Sequence, residues 1–273
     1  MSSKSAETVL TAAGQGRAPL VSMRGIRKSF GSIDALRGVD LELGAGEVLG
    51  LVGDNAAGKS TLTKILSGAL VPDSGEIEIA GEPVAFRSPA DARRRRIEMV
   101  YQDLSLCDTI DVAGNLYLGR EPQFSILGMK FLHRRRMHEA AAKILRGLDI
   151  RVDSTRHVVS NLSGGQRQSI AIGRAVSFDP TVLIMDEPTS ALAVAEVEAV
   201  LSLIQQVSRR GVGVIFITHR LQDLFRVCDR IMVMYEGTNV AERKIGETSL
   251  EEVVRLIVGG DIMARTEGRA GGH

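Results

Sequence analysis

An α/β fold with a mostly parallel sheet is predicted by three features of the chain. An apolar run at 48–52 leads into the loop Gly53-Asp54-Asn55-Ala56-Ala57-Gly58-Lys59-Ser60, after which Leu62, Ile65 and Leu66 fall three to four apart. That is strand, glycine loop, helix, the order a phosphate-binding loop requires. The C-terminal half alternates a helix at 166–177, a strand at 181–185, a helix at 194–208, a strand at 212–217, a helix from Leu221 and a strand at 231–235, and such alternation implies parallel strands with flanking helices. The strand at 182–185 ends in Asp186-Glu187, two carboxylates at the strand edge where open α/β sheets bind ligands.

The remaining elements follow in order. Residues 1–20 are rich in Ser, Ala and Gly and read as a tail. From 21 to 79 the text is strand-like and turn-rich, the composition of an antiparallel β part. Between 88 and 160 it turns helical and charged, so an inserted helical subdomain is expected there. The single domain then spans 21–260, with 21–87 and 161–260 as the nucleotide-binding core and 261–273 as a second tail. The runs Arg93–Arg96 and Arg134–Arg136 read as solvated helix faces with acids nearby.

Composition narrows the function. Of 273 residues 44% are hydrophobic, enough for a large core. Lys and Arg number 34 against 33 Asp and Glu, a net charge of +1 that offers no field for nucleic acid. Aromatics are 4% with no Trp, which also disfavours a base-stacking surface. Cys107 and Cys228 have no metal-ligand or disulfide spacing, in keeping with a reducing cytosol. The longest apolar stretch is far short of the ~18 residues that span a bilayer.

The chemistry concentrates at four places. Backbone N–H groups from Gly53 to Gly58 are suited to surround phosphates, with Lys59 reaching outer oxygens, the Ser60 hydroxyl meeting Mg²⁺ and Thr61 beside it at the helix start. Asp186 suits the cation's shell, since a phosphate-bound Mg²⁺ takes one or two carboxylates and keeps waters. Glu187 suits the attacking water. Ser163-Gly164-Gly165-Gln166, after Leu162, opens a helix and makes a second anion-binding N-terminus, for a nucleotide held elsewhere. His219 follows the strand at 212–217, within reach of a γ-phosphate.

Together these residues resemble the nucleotide-binding subunits of ABC transporters over about residues 21–260. The resemblance implies that the loop 53–60 of one copy and the LSGGQ turn 162–166 of a second close over one ATP, in a head-to-tail dimer that encloses two. It implies that Phe30 stacks on adenine, that Gln102 touches Mg²⁺ and the attacking water, that Asp186 and Glu187 are the Walker B pair, and that His219 is the switch histidine. Gly81 to Val84 with Phe86 to Pro89, Ile97 to Leu104, and Asn115 to Glu121 are similar to the ribose, xylose and fructose importers, in their single-cassette form. The implied partners are membrane permease subunits and, through them, a periplasmic or extracellular sugar-binding protein. The implied place is the cytoplasmic face of the inner membrane. A soluble ATPase acting on nucleic acid or ribosomes, or a regulatory cassette with little turnover, are the alternatives. Two departures stand out. Ala56 replaces the usual glycine, at about 1 kcal/mol of strain if φ there is positive, so Ala56→Gly is expected to tighten nucleotide binding. Ala193 replaces the acid of the D-loop.

Overall fold

The computed structural model describes residues 18–259. The expected tails fall outside that range apart from 18–20, and Leu20 is half-buried against the core, with its carbonyl accepting from Ala80 N–H at 2.8 Å. β1 (Val21–Phe30) turns at Gly31 into β2 (Ile33–Leu43). β3 (Val48–Gly53) contains only Val, Leu and Gly, the make-up of a strand covered on both faces, and passes through the glycine loop into α1 (Lys59–Leu66). β4 (Ser74–Ile79) and β5 (Glu82–Val84) rejoin the first hairpin in an antiparallel sheet ordered β2-β1-β4-β5.

The stretch expected to be helical is mixed. α2 (Pro89–Arg94), α3 (Val112–Tyr117) and α4 (Arg134–Gly147) are helices, but β6 (Ile97–Val100), between the first two, is a strand of the main sheet. Its four residues directly follow four arginines, too short a run to show a period. β7 (Gln123–Ile126) and β8 (Met129–Leu132), between α3 and α4, form a separate hairpin. Its turn places Leu127 at φ 50° and Gly128 at φ 81°. Two positive φ values define a type I′ turn, usually announced by Asn-Gly or Asp-Gly; Leu-Gly hides it.

The C-terminal half supplies α5 (Gly164–Val176), β9 (Val182–Asp186), α6 (Val194–Ser208), β10 (Gly213–Ile217), α7 (Leu221–Val227), β11 (Arg230–Tyr235), β12 (Thr238–Lys244) and a helix at 250–259. The main sheet is ordered β12-β11-β3-β10-β9-β6, parallel except for β12. Its strands split their side chains between two cores. Leu183, Met185, Val214 and Phe216 face α5 and α6, while Val182, Ile184, Ile215 and Ile217 face α1 and the antiparallel sheet. Gly50 allows α7 to lie directly on β3: a Cβ there would stand 2.8 Å from Leu224 Cδ2.

Candidate nucleotide-binding site

Parallel strands deliver their C-terminal ends to one edge, and the candidate residues are placed there by topology. The glycine loop follows β3, Gln102 comes two residues after β6, Asp186 ends β9, and His219 comes two residues after β10. β10 lies hydrogen-bonded between β3 and β9, with Ile217 opposite both Leu51 and Asp186, so these ends are neighbours.

In the loop, Gly53 (φ 146°) and Gly58 (φ 95°) adopt conformations that other residues rarely take, and both are pressed on by backbone. A Cβ would lie 2.1 Å from Met234 O at Gly53 and 2.6 Å from Ala35 O at Gly58. Ala56 is not among the residues with positive φ. The strain anticipated for it is absent, and with it the ground for expecting Ala56→Gly to tighten binding. The loop's N–H groups are not all free: Asn55 N–H donates to Asp54 Oδ1 (2.7 Å) and Ala57 N–H to Asp54 O (3.0 Å). Lys59 Nζ donates to Gly53 O and Asp54 O, each at 2.7 Å, and so lies folded over the loop. Burial lowers its pKa, against the attraction of Glu187, Asp54 and Asp186, which places all three carboxylates within electrostatic reach of the ammonium. Ser60 and Thr61 stand in the first turn of α1.

Burial raises the pKa of Asp186, opposed by Lys64 and Lys59. Glu187 has φ 53°, uncommon for a residue with a side chain and a mark of a position held by its surroundings. Its N–H donates to Ile217 O (2.9 Å), and its Oε2 lies 2.8 Å from His219 Nδ1. Burial raises the Glu187 pKa while His219 pulls it down. Behind the pair, the buried Thr189 hydroxyl donates to Asp223 Oδ2 at 2.8 Å, and Arg220 Nε lies 3.4 Å from the same oxygen. This ties the loop after β9 to the start of α7, just after His219 in the chain. Ser60, Gln102 and Asp186 all offer oxygen, and among the described residues no group of three or more His, Cys, Asp or Glu could hold a metal alone. Such a donor set fits a hard cation that draws its other ligands from phosphates and water.

Phe30, at the end of β1, is 47% exposed with Lys28 Nζ 5.7 Å from its ring centroid, so it is not a core residue. Gln102 is exposed in the loop after β6.

The Ser163 turn caps α5. Its hydroxyl accepts from Gln166 N–H (3.2 Å), and Gln166 Oε1 accepts from Ser163 N–H (3.1 Å). Gly165 N–H, expected to be open to an anion, is already engaged by Glu196 Oε1 at 3.0 Å. The other oxygen of Glu196 accepts from Ala193 N–H (3.1 Å), so one carboxylate joins the starts of α5 and α6. These N–H groups and the Ser163 hydroxyl hold its pKa down. Gln166 Nε2 also donates to Arg151 O (3.4 Å) and Arg167 N–H to Ser163 O (2.9 Å), and among the described residues none of the turn's bonds reaches the phosphate loop. Glu196 escaped the sequence reading because Ala193 has no capping oxygen, so the pair does not spell a capping box.

Comparison with known proteins agrees with this fold. The family description "ABC transporter" matches residues 36–190. The chain is 43% identical over 238 residues to the xylose/arabinose import ATP-binding protein XylG of Sulfolobus acidocaldarius, covering 87% of this chain and 93% of that one. It is 40% identical to the fructose import ATP-binding protein FrcA of Rhizobium meliloti, covering 88% and 94%. Against the ribose import ATP-binding protein RbsA of Geobacillus kaustophilus it is 41% identical, covering 90% of this chain but 49% of that protein, so it spans about half the length of such relatives. A solved nucleotide-free ATP-binding cassette from an ABC transporter superposes with a TM-score of 0.76 at 27% identity, covering 89% and 96%. A dimeric post-hydrolysis cassette bound to ADP and Pi superposes at 0.68 and 25% identity, covering 82% and 98%. The chain belongs to the ABC transporter family, and its fold is that of the family's ATP-binding cassettes.

Proposed function

We propose that this chain is the ATPase subunit that powers import of a small sugar through membrane permease subunits, working as a head-to-tail dimer on the cytoplasmic face of the membrane. The observation that carries the catalytic part is the Glu187–His219 pair at 2.8 Å on the strand edge that holds Lys59. Lys59, released from Gly53 O and Asp54 O, neutralises outer phosphate oxygens. Ser60, Asp186 and Gln102 would hold Mg²⁺, which supplies charge neutralisation. Glu187, whose ionised form His219 favours, orients the attacking water and accepts its proton. Phe30 stacks on adenine. Ser163 and the Gly164 N–H face the nucleotide of the partner copy; Gly165 N–H joins them only if Glu196 releases it.

Support for sugar as cargo comes from the import proteins for xylose/arabinose, fructose and ribose at 40–43% identity. A cleft of about 250 Å³ lined by Glu98, Tyr101, Leu118, Arg120 and Phe178, next in sequence to Gln102, suits a permease segment. Among the described residues no helix is long and apolar enough to cross a membrane. Glu187→Gln is expected to keep ATP binding, form an ATP-dependent dimer in sedimentation, and lower turnover at least ~100-fold. Turnover like that of the parent chain would refute the role of Glu187. Stimulation of hydrolysis by sugar-loaded binding protein, on the permease-reconstituted complex, tests the cargo.

A further inference from the structure

Among the described residues, none of β7 or β8 belongs to either core. The register sets Phe124 opposite Phe131 and Ile126 opposite Met129, so alternation puts these four on one face of the hairpin. The two rings stack at 5.8 Å. All four side chains are exposed, and Leu127 at the tip is 94% exposed. The other face carries Gln123, Ser125, Lys130 and Leu132, the last 39% exposed. Arg134, Arg135 and Arg136 follow in the first turn of α4, and no acid occurs between Glu121 and Glu139, in a chain whose net charge is +1. Arg135 pairs with Glu139 at 2.8 Å; among the described residues no ion pair holds Lys130, Arg134 or Arg136.

An apolar face this concentrated is uncommon on a free surface and marks a contact. Cations without an ion pair among the described residues, Lys130 on the other face and Arg134 and Arg136 just after the hairpin in the chain, add a second demand, for negative charge. A surface that is anionic outside and apolar within meets both, and that is the chemistry of an acidic lipid headgroup layer. We propose that the β7–β8 hairpin seats on an anionic lipid surface, with Phe124, Ile126, Leu127, Met129 and Phe131 at the headgroup boundary and Lys130, Arg134 and Arg136 among the phosphates. The proposal stands apart from the identity of the cargo. A protein partner covering only the apolar face would leave the three cations unanswered, whereas lipid uses both.

The test is sedimentation of the full chain with vesicles of phosphatidylcholine alone or with about 30% phosphatidylglycerol. Binding is expected only with the anionic lipid and should weaken as salt shortens the screening length. Leu127→Asp and Lys130→Glu should each lower it at least about fivefold, the worth of a single charge near such a surface. Melting temperature and nucleotide binding should stay unchanged, because among the described residues no hairpin residue belongs to either core or to the phosphate loop. No binding, equal binding to neutral vesicles, or variants that bind as the parent does would overturn the proposal. So would a variant that keeps vesicle binding but loses either self-association or capture of its permease, since the face would then belong to a second copy or a protein partner.

Discussion

Single atoms decide several positions in this chain. Gly164 and Gly165 are adjacent in sequence, yet a Cβ on Gly164 would meet Leu192 Cδ2 at an ordinary 3.4 Å, while one on Gly165 would stand 2.6 Å from Glu196 Cβ. Gly165→Ala is therefore expected to cost about 1–3 kcal/mol through overpacking, and Gly164→Ala much less, as read by denaturant unfolding. Equal losses would contradict the packing. Glu98 offers a titration. Burial raises its pKa against the pull of Arg93, Arg120 and Arg174. The folded chain then holds this proton more tightly than the unfolded one, so stability falls as pH rises from the ordinary value of 4.5 through the raised one. Glu98→Gln has no charge to bury, and its stability relative to the parent should grow from about pH 4 to pH 7. A difference that stays constant over that range would show that Glu98 does not titrate there.

Elements meet through a few side chains that neither element announces alone. Thr189, after β9, and Asp223, in α7, are 34 residues apart and share a buried hydrogen bond of 2.8 Å. Thr189→Val should cost about 1–3 kcal/mol by leaving Asp223 short of a donor, and a double-mutant cycle with Asp223→Asn should show coupling beyond the sum of the single changes. Additive losses would mean that the bond does not join the two elements. Legibility differed by element for a physical reason. α6 and β9 to β11 were readable because their apolar residues repeat with a helix or buried-strand period. β12 alternates only half-buried and exposed residues, β6 is four residues long, and the hairpin's turn lacks its usual dipeptide.

At the scale of the molecule, the parallel sheet brings loops from β3, β6, β9 and β10 to one edge, and nucleotide binding there should stabilise the whole. With ligand at about a hundred times its Kd, linkage gives about 2.7 kcal/mol, or roughly 5–10 °C in melting temperature for a domain this size. The shift should vanish in Lys59→Ala; a shift of the same size in that variant would place the nucleotide elsewhere. Local order was enough for the fold class, the phosphate loop and the acid pair: a strand before a glycine loop, a helix after it, carboxylates at a strand end. Tertiary structure alone decided that Ala56 is unstrained, that Glu187 meets His219, that Glu196 holds Gly165 and that an apolar hairpin stands clear of both cores. Those outcomes are set by contacts between segments tens of residues apart or by backbone angles, and neither leaves a period or a spacing in the chain.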